Sequence, residues 1–232
     1  MILKTYTQIK EKLENDLDLI DEDFISETEL LGYMNEALKD AESIIHTIGL
    51  DSYYFKTSDT LTLASGTSDY DMPSDIFANK LLGVYYFNGA KKYRVDRRRT
   101  LDDLLNDVTG ADYTYDIFNT TSGIKMRLYP TPVESGAYIQ RYYIRDARLL
   151  TTSTDASNTC EIPECINFLY QHVKCRVYEK EGNPNLPKAM ADLNALHDLM
   201  VQTLTEMVPD GNNEIQGDFR FYQDMNLNVD VF

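Results

Sequence analysis

The side chains best suited to chemistry are Cys165, His172 and Cys175, which approach one another if their segment is helical. They lack the paired Cys-x-x-Cys spacing of a zinc site, and Ile166, Leu169 and Val173 beside them make small core residues the simpler reading. Asp16 and Asp18 match the first two ligand positions of a calcium loop. Ile20 then occupies the third position, and Asp21 stands where the turn needs glycine, so a solvated linker is expected. His46 lies near the end of an apolar helical stripe, the usual place for a partly buried or capping histidine. No phosphate loop, nucleophile elbow or dinucleotide fingerprint is present, and no residue is assigned a catalytic, metal or cofactor role.

Two further stretches point to binding. Lys91, Lys92, Arg94, Arg97, Arg98 and Arg99 form a basic patch offset only by Asp96. One reading is a nucleic-acid contact; the other is an exposed hairpin arm meeting an acidic protein surface. The net charge of −16 favours the second, because the whole chain repels a phosphate backbone. The end of the chain holds Phe219, Phe221, Tyr222, Met225, Leu227, Val229, Val231 and Phe232, too apolar for a solvated terminus. Either this segment folds back on its own domain, or it is an arm that binds a partner chain through these residues.

The elements that must position these groups are read from their boundaries. Ser26 and Glu29 form a capping box, Ile25 and Leu30 a hydrophobic staple, and Gly49 a left-handed helix end. Between them Leu30, Met34, Ala37, Leu38, Ala41, Ile44, Ile45 and Ile48 make one apolar stripe. Thr5 to Leu17 reads as an earlier helix with Thr5 and Gln8 as its box. Ile162 to Glu181 and Leu186 to Val208 read as an antiparallel helical pair broken at Gly182-Asn183-Pro184-Asn185. The second of the pair is expected to bury Met190, Leu193, Leu196, Met200, Leu204 and Met207.

Residues 51–150 hold 12 of the 17 tyrosines and have a different texture. Strands are expected at Tyr53–Lys56, Thr60–Leu63, Leu81–Phe87, Lys91–Val95, Tyr113–Phe118, Ile124–Tyr129 and Ala137–Ile144. Asn88-Gly89 is read as a hairpin turn, and Thr100 to Val108 as a short helix. The fold class is therefore α+β. A bundle of about four helices comes from residues 1–50 and 151–208. An antiparallel β domain, 51–150, is inserted into it, and 209–232 is an extended C-terminal arm.

Residues 1–50 carry 4 basic and 12 acidic side chains and residues 151–232 carry 5 and 13, whereas the middle is balanced at 13 of each. Matching acidity puts the two ends together. No apolar run approaches the ~20 residues of a membrane span, and MILKTYTQIKEK turns charged too early for a secretory signal. An odd set of three cysteines, Cys160, Cys165 and Cys175, fits synthesis in a reducing compartment.

Three stretches carry a resemblance: Thr5–Leu17 (TYTQIKEKLENDL), Glu29–Tyr54 (ELLGYMNEALKDAESIIHTIGLDSYY) and Thr60–Tyr86 (TLTLASGTSDYDMPSDIFANKLLGVYY). The Gly-Leu-Asp corner after the leucine-rich helix and the Ser-Gly-Thr-x-x-Tyr-x-Met-Pro-x-Asp turn are its specific parts. The chain resembles the head–tail adaptor proteins of tailed bacteriophages, the connector or head-completion ring below the portal. That resemblance implies a non-enzymatic virion protein, made in the host cytoplasm, that forms a homo-oligomeric ring, commonly dodecameric. It implies portal and tail or further ring proteins as partners, genomic double-stranded DNA passing through without specific binding, no membrane and no cofactor. The alternatives are another tail or ring component, or a carbohydrate-binding or hydrolytic β module; the absence of tryptophan weighs against the last.

Overall fold

The computed structural model describes residues 3–18, 24–89, 91–98 and 112–208. Contacts divide them into two units, one running to Leu50 and resuming at Arg148, the other Asp51–Ala147. The expected helix over Thr100–Val108 and the arm from residue 209 lie outside the described residues.

The first unit contains α1 (Tyr6–Asp16), α2 (Glu27–Ile48), α4 (Ile166–Glu181) and α5 (Leu186–Glu206). Both capping boxes form. Thr5 Oγ1 accepts from the Gln8 amide at 3.3 Å and Gln8 Oε1 accepts from the Thr5 amide at 3.2 Å. Ser26 and Glu29 do the same at 3.3 and 3.1 Å. Gly49 closes α2 at φ 81° and Gly182 closes α4 at φ 67°, a backbone region that a Cβ disfavours. The α2 stripe buries Leu30, Met34, Ala37, Leu38, Ala41 and Ile45. A 3₁₀ turn, Pro163–Cys165, opens the third long helix instead of an α-helical turn.

Helix α4 packs against α1, α2 and α5. Polar side chains fix the register. Tyr6 and Lys10 both donate to Glu27 Oε1, at 2.9 and 2.8 Å, tying α1 to the start of α2. Lys180, at the end of α4, donates to Glu29 at 2.8 Å and to the Phe24 carbonyl at 2.8 Å. The polar loop 151–159 is closed by Asn158, whose Nδ2 donates to the Thr151 and Ser153 carbonyls at 2.7 and 2.6 Å. Asn35 on α2 grips the Leu150 backbone twice, at 3.0 and 2.9 Å.

The second unit is two four-stranded sheets. The first has the order β1 (Lys56–Thr62), β8 (Tyr138–Arg145), β3 (Ile76–Asn88), β4 (Lys91–Arg94). The second has the order β2 (Asp69–Asp71), β7 (Gly123–Tyr129), β6 (Thr114–Thr120), β5 (Asp96–Arg97). The pairings are antiparallel except β5–β6, which is parallel. Inner-face residues alternate along the strands, as a period of two requires. Val84, Tyr86, Ile139, Met126, Leu128 and Tyr115 form the shared core. Arg141 on β8, only 4% exposed, reaches Asp59 on β1 with two N–H groups and donates a third to the Asp71 carbonyl on β2 at 2.7 Å.

Three details of the β unit differ from the sequence reading. Tyr53 and Tyr54 belong to a helical turn, α3 (Asp51–Tyr54), and the strand begins only at Lys56. Asp51 is the cause: its carboxylate accepts from the Ser52 amide at 2.8 Å and is paired with Lys80, which overrides aromatic strand preference. The hairpin turn lies one residue later than Asn88-Gly89, since Asn88 pairs with Lys91. Strand β3 also begins earlier than expected and bulges between Ile76 and Leu81, with Ala78 and Asn79 at φ 46° and 56°.

Two predictions follow from these contacts. Hydrogen bonds from Lys180 and Ser26 lower the Glu29 carboxyl from 4.5 to about 2. Its contribution to stability is therefore complete above pH 4.5 and disappears as pH falls through about 2. Glu29→Gln should melt below the wild type at pH 7, and thermal scans should show the gap narrowing towards pH 2; a pH-independent gap contradicts this. Arg141→Met should cost about 2–4 kcal/mol in urea titration, because it strands Asp59 and a strand carbonyl. A loss below about 0.5 kcal/mol, the usual surface value, would refute the clamp.

Candidate assembly surfaces

The outer face of the first sheet follows from register. Tyr142 stands opposite Gly83 and Ser58, Gln140 opposite Tyr85 and Thr60, and Tyr138 opposite Phe87 and Thr62. On the edge strand, Lys92 stands opposite Phe87 and Arg94 opposite Tyr85. The aromatic side chains pair with one another. Phe87 and Tyr138 stack at 4.9 Å and 6°, and Tyr85 meets Tyr142 edge-on at 5.8 Å and 89°. Gly83 leaves room for the Tyr85 ring, since a Cβ there would come within 3.1 Å of it. The Lys92 ammonium lies 5.2 Å from the Phe87 ring centre. The registered positions from Ser58 to Thr62, Gly83 to Phe87, Tyr138 to Tyr142 and Lys92 to Arg94 carry two cations on this face and no carboxylate.

The outer face of the second sheet is different. Arg127 bonds Asp69 through two N–H groups at 2.5 and 2.7 Å and lies over Phe118 at 4.4 Å. Lys125 faces Asp71 at 3.3 Å. These contacts lower the Asp69 carboxyl, with the Arg127 hydrogen bond as the main cause. That sheet neutralises its own charge; on the first, Arg94 Nε lies 3.6 Å from Asp96 Oδ1.

The structure divides the basic patch among several places. Lys92 and Arg94 share the aromatic face, Lys91 stands on the opposite side of the hairpin tip, and Arg97 is exposed on β5. Arg98 belongs to the interior, 7% exposed, with Nε donating to Thr114 Oγ1 at 2.8 Å and the guanidinium 4.1 Å from the Tyr129 ring centre. Arg99 and the apolar positions Phe219, Phe221, Tyr222, Met225, Leu227, Val229, Val231 and Phe232 lie outside the described residues.

On the helical unit, α5 buries Ala189, Met200 and Leu204, but Met190 is 52% and Leu199 56% exposed. Met190 lies beside a cleft of about 380 Å³ between α2, α4 and α5, with Asp40, Phe168, His172, Arg176 and His197 among its lining. The Phe168 ring centroid is 6.0 Å from that of His172 and 5.9 Å from that of His197. Burial, aided by Arg176, lowers the His172 pKa, which favours the neutral ring. His46 faces Glu42 one turn away, Nε2 to carboxylate 3.8 Å.

All three cysteines are buried free thiols. Cys160 and Cys165 bring their sulfurs to 3.7 Å, and Cys160 donates to the Ile162 carbonyl at 3.3 Å. The hydrogen bond with Cys160, and then burial, push the Cys165 thiol up. Among the described residues no three His, Cys, Asp or Glu side chains are grouped to hold a metal, and no helix is long and apolar enough to cross a membrane.

The polar side chains described above tie elements together, while aromatic and aliphatic groups remain on two outer faces. A family model for the SU10 adaptor protein matches residues 4–215, and the chain belongs to that family. It is therefore a phage adaptor-type protein, a virion component that associates with other virion proteins such as portal or tail. A search of curated proteins returns no significant match.

The split patch gives a direct prediction. Arg98→Ala should destabilise the fold by about 1–3 kcal/mol through the lost hydrogen bond and ring contact. Lys92→Ala should stay within about 0.5 kcal/mol of wild type. Equal effects of the two in chemical denaturation would contradict this placement.

Proposed function

We propose that the chain forms a closed homo-oligomeric ring, commonly twelve copies in such adaptors, that joins portal to tail around the DNA channel. The observation that carries this reading is the adaptor-family match over residues 4–215 of a 232-residue chain. The two outer faces support it, because a head-to-tail contact between unlike faces closes a ring without leftover ends. Each subunit carries −16, so duplex DNA crosses the ring under repulsion and is not gripped by it. The apolar residues from Phe219 to Phe232 serve as an arm that a partner chain orders. Aromatic anchors bring large contact area at modest entropic cost.

Purified protein mixed with its portal should give ring-shaped complexes by electron microscopy and a discrete stoichiometry by native mass spectrometry. A chain that stays monomeric beside portal and tail proteins at high concentration would end this reading. Deleting residues 212–232 should leave the circular dichroism of the remainder intact while abolishing capture on assembled portal. A folded, truncated chain that still incorporates at the full-length level would remove the arm from the account.

A further inference from the structure

Two of the three thiols are in contact at the start of α4. Cys160 Sγ lies 3.7 Å from Cys165 Sγ, and both side chains are buried. The 3₁₀ turn Pro163–Cys165 folds the chain back and brings them together. The Ile162 carbonyl is their common point, accepting from the Cys165 amide at 3.1 Å and from the Cys160 thiol at 3.3 Å. A disulfide needs about 2.05 Å between sulfurs, so less than about 2 Å of approach separates this contact from a bond. Cys175 is too far along to replace either partner of that contact. It stands in α4, whose N-cap is Cys165, about 15 Å further along the helix axis. Among the described residues no third His, Cys, Asp or Glu joins the pair to hold a metal. The chemistry open to two touching thiols is oxidation.

We propose that Cys160 and Cys165 are a reversible oxidation site, joined as a disulfide in oxidising surroundings and open as thiols in reducing ones. A virion component meets both, because a virion leaves the reducing interior of a cell for the oxidising medium outside. The oxidant is a small-molecule disulfide. Cys160 attacks first, since the hydrogen bond with Cys165 lowers its pKa while that of Cys165 is raised. Its thiolate bonds to one sulfur of the reagent and expels the other as a thiolate. That thiolate takes the Cys165 proton, and Cys165 then attacks the Cys160 sulfur and expels the second reagent thiolate. Two protein thiols are oxidised, one reagent disulfide is reduced to two thiols, and both protons end on those thiols.

The reagent reaches Cys160 by local opening. An isolated bridge pairs Thr5 with Thr159; around it the Cys160 amide donates to the Lys4 carbonyl at 2.9 Å and the Tyr6 amide to the Asn158 carbonyl at 2.9 Å. Ser157, just before, is exposed. So short a pairing opens at a small part of the cost of unfolding the whole unit, and Cys160 is uncovered while the helices stay folded. The bond acts on that same opening. Cys160 is held beside Thr5, the N-cap of α1, and Cys165 is the N-cap of α4. Joining the two sulfurs ties the segment that caps α1 to the first residue of α4. The oxidised protein is therefore stiffer where these two helices begin, and the reduced one is free to open there.

The test exposes the reduced full chain to 2-hydroxyethyl disulfide without denaturant, with circular dichroism as folding control. The protein is then quenched in acid, unfolded, alkylated with N-ethylmaleimide and weighed. Wild type should lose about 2 Da and take up one maleimide in place of three. Cleavage after Glu161 and Glu164 separates the two cysteines, so a linked pair of peptides identifies the bond. Cys175→Ala should oxidise in the same way and take up none. Cys165→Ala should stop at the reagent adduct on Cys160, and Cys160→Ala should stay reduced. In oxidised wild type, amide exchange at 159–166 should slow at least about threefold, and dithiothreitol should restore the original rate. The wild-type measurements decide the matter even where a variant does not fold. Three maleimides on oxidant-treated wild type, a bond to Cys175 or between chains, a bond that forms only in denaturant, or exchange unchanged by the bond would each overturn the proposal. None of these results bears on ring formation.

Discussion

The geometry of the β unit depends on one buried guanidinium. Arg141 projects from the inner side of β8, where an unpaired charge would be costly, and its N–H groups are taken up by Asp59 on β1 and the Asp71 carbonyl on β2. It therefore joins a strand pair of the first sheet to an edge strand of the second. Fixing β8 against β1 and β3 also fixes what the opposite side of those strands displays. A slip of one residue would turn Tyr138, Gln140 and Tyr142 inward and expose Ile139, Arg141 and Tyr143. The aromatic outer face is thus a consequence of an interior polar contact.

The helical unit uses polar groups in the same manner. α2 has enough apolar surface to need partners on its buried side, but hydrophobic burial is non-directional and does not set a register. Glu27 collects α1, Glu29 collects the end of α4, and Asn35 holds the backbone at Leu150. Three side chains on one helix thereby determine where the remaining pieces of that unit sit. α4 is buried among its neighbours, whereas α5 has a second side that none of the described residues of the unit covers, and Leu199 stands there.

Helix boundaries were legible in the sequence because capping is local. Thr5 with Gln8, Ser26 with Glu29, and the glycines at 49 and 182 each act within a few residues of themselves. The middles of β3, β6, β7 and β8 were legible from their aromatic and β-branched runs, but β1 was not, because Lys56–Thr62 spans the gap between the expected strands Tyr53–Lys56 and Thr60–Leu63. Strands β2 and β5 were not, since Asp69–Asp71 and Asp96–Arg97 are short and charged, and their partners hold them in place. Tyr53 and Tyr54 read as strand because aromatic residues favour strands, and the Asp51 contact that decides otherwise reaches Lys80, far along the chain. The basic run reads as one patch because its members adjoin in sequence, yet strand alternation sends Lys91 and Lys92 to opposite sides, and Arg98 goes inward. The aromatic face was hidden for the converse reason. Tyr85, Phe87, Tyr138 and Tyr142 are separated in sequence, and only cross-strand register brings them together.

In the proposed assembly, neighbouring copies join through their outer faces. Hydrogen exchange on the free and the portal-assembled protein tests it most directly, because both surfaces are read in one experiment without altering a residue. Assembly through these faces should slow exchange in 83–94, 138–142 and 190–206, with little change in the second sheet around 123–129. Assembly that leaves those three segments exchanging as in the free chain, with protection appearing elsewhere, would contradict it.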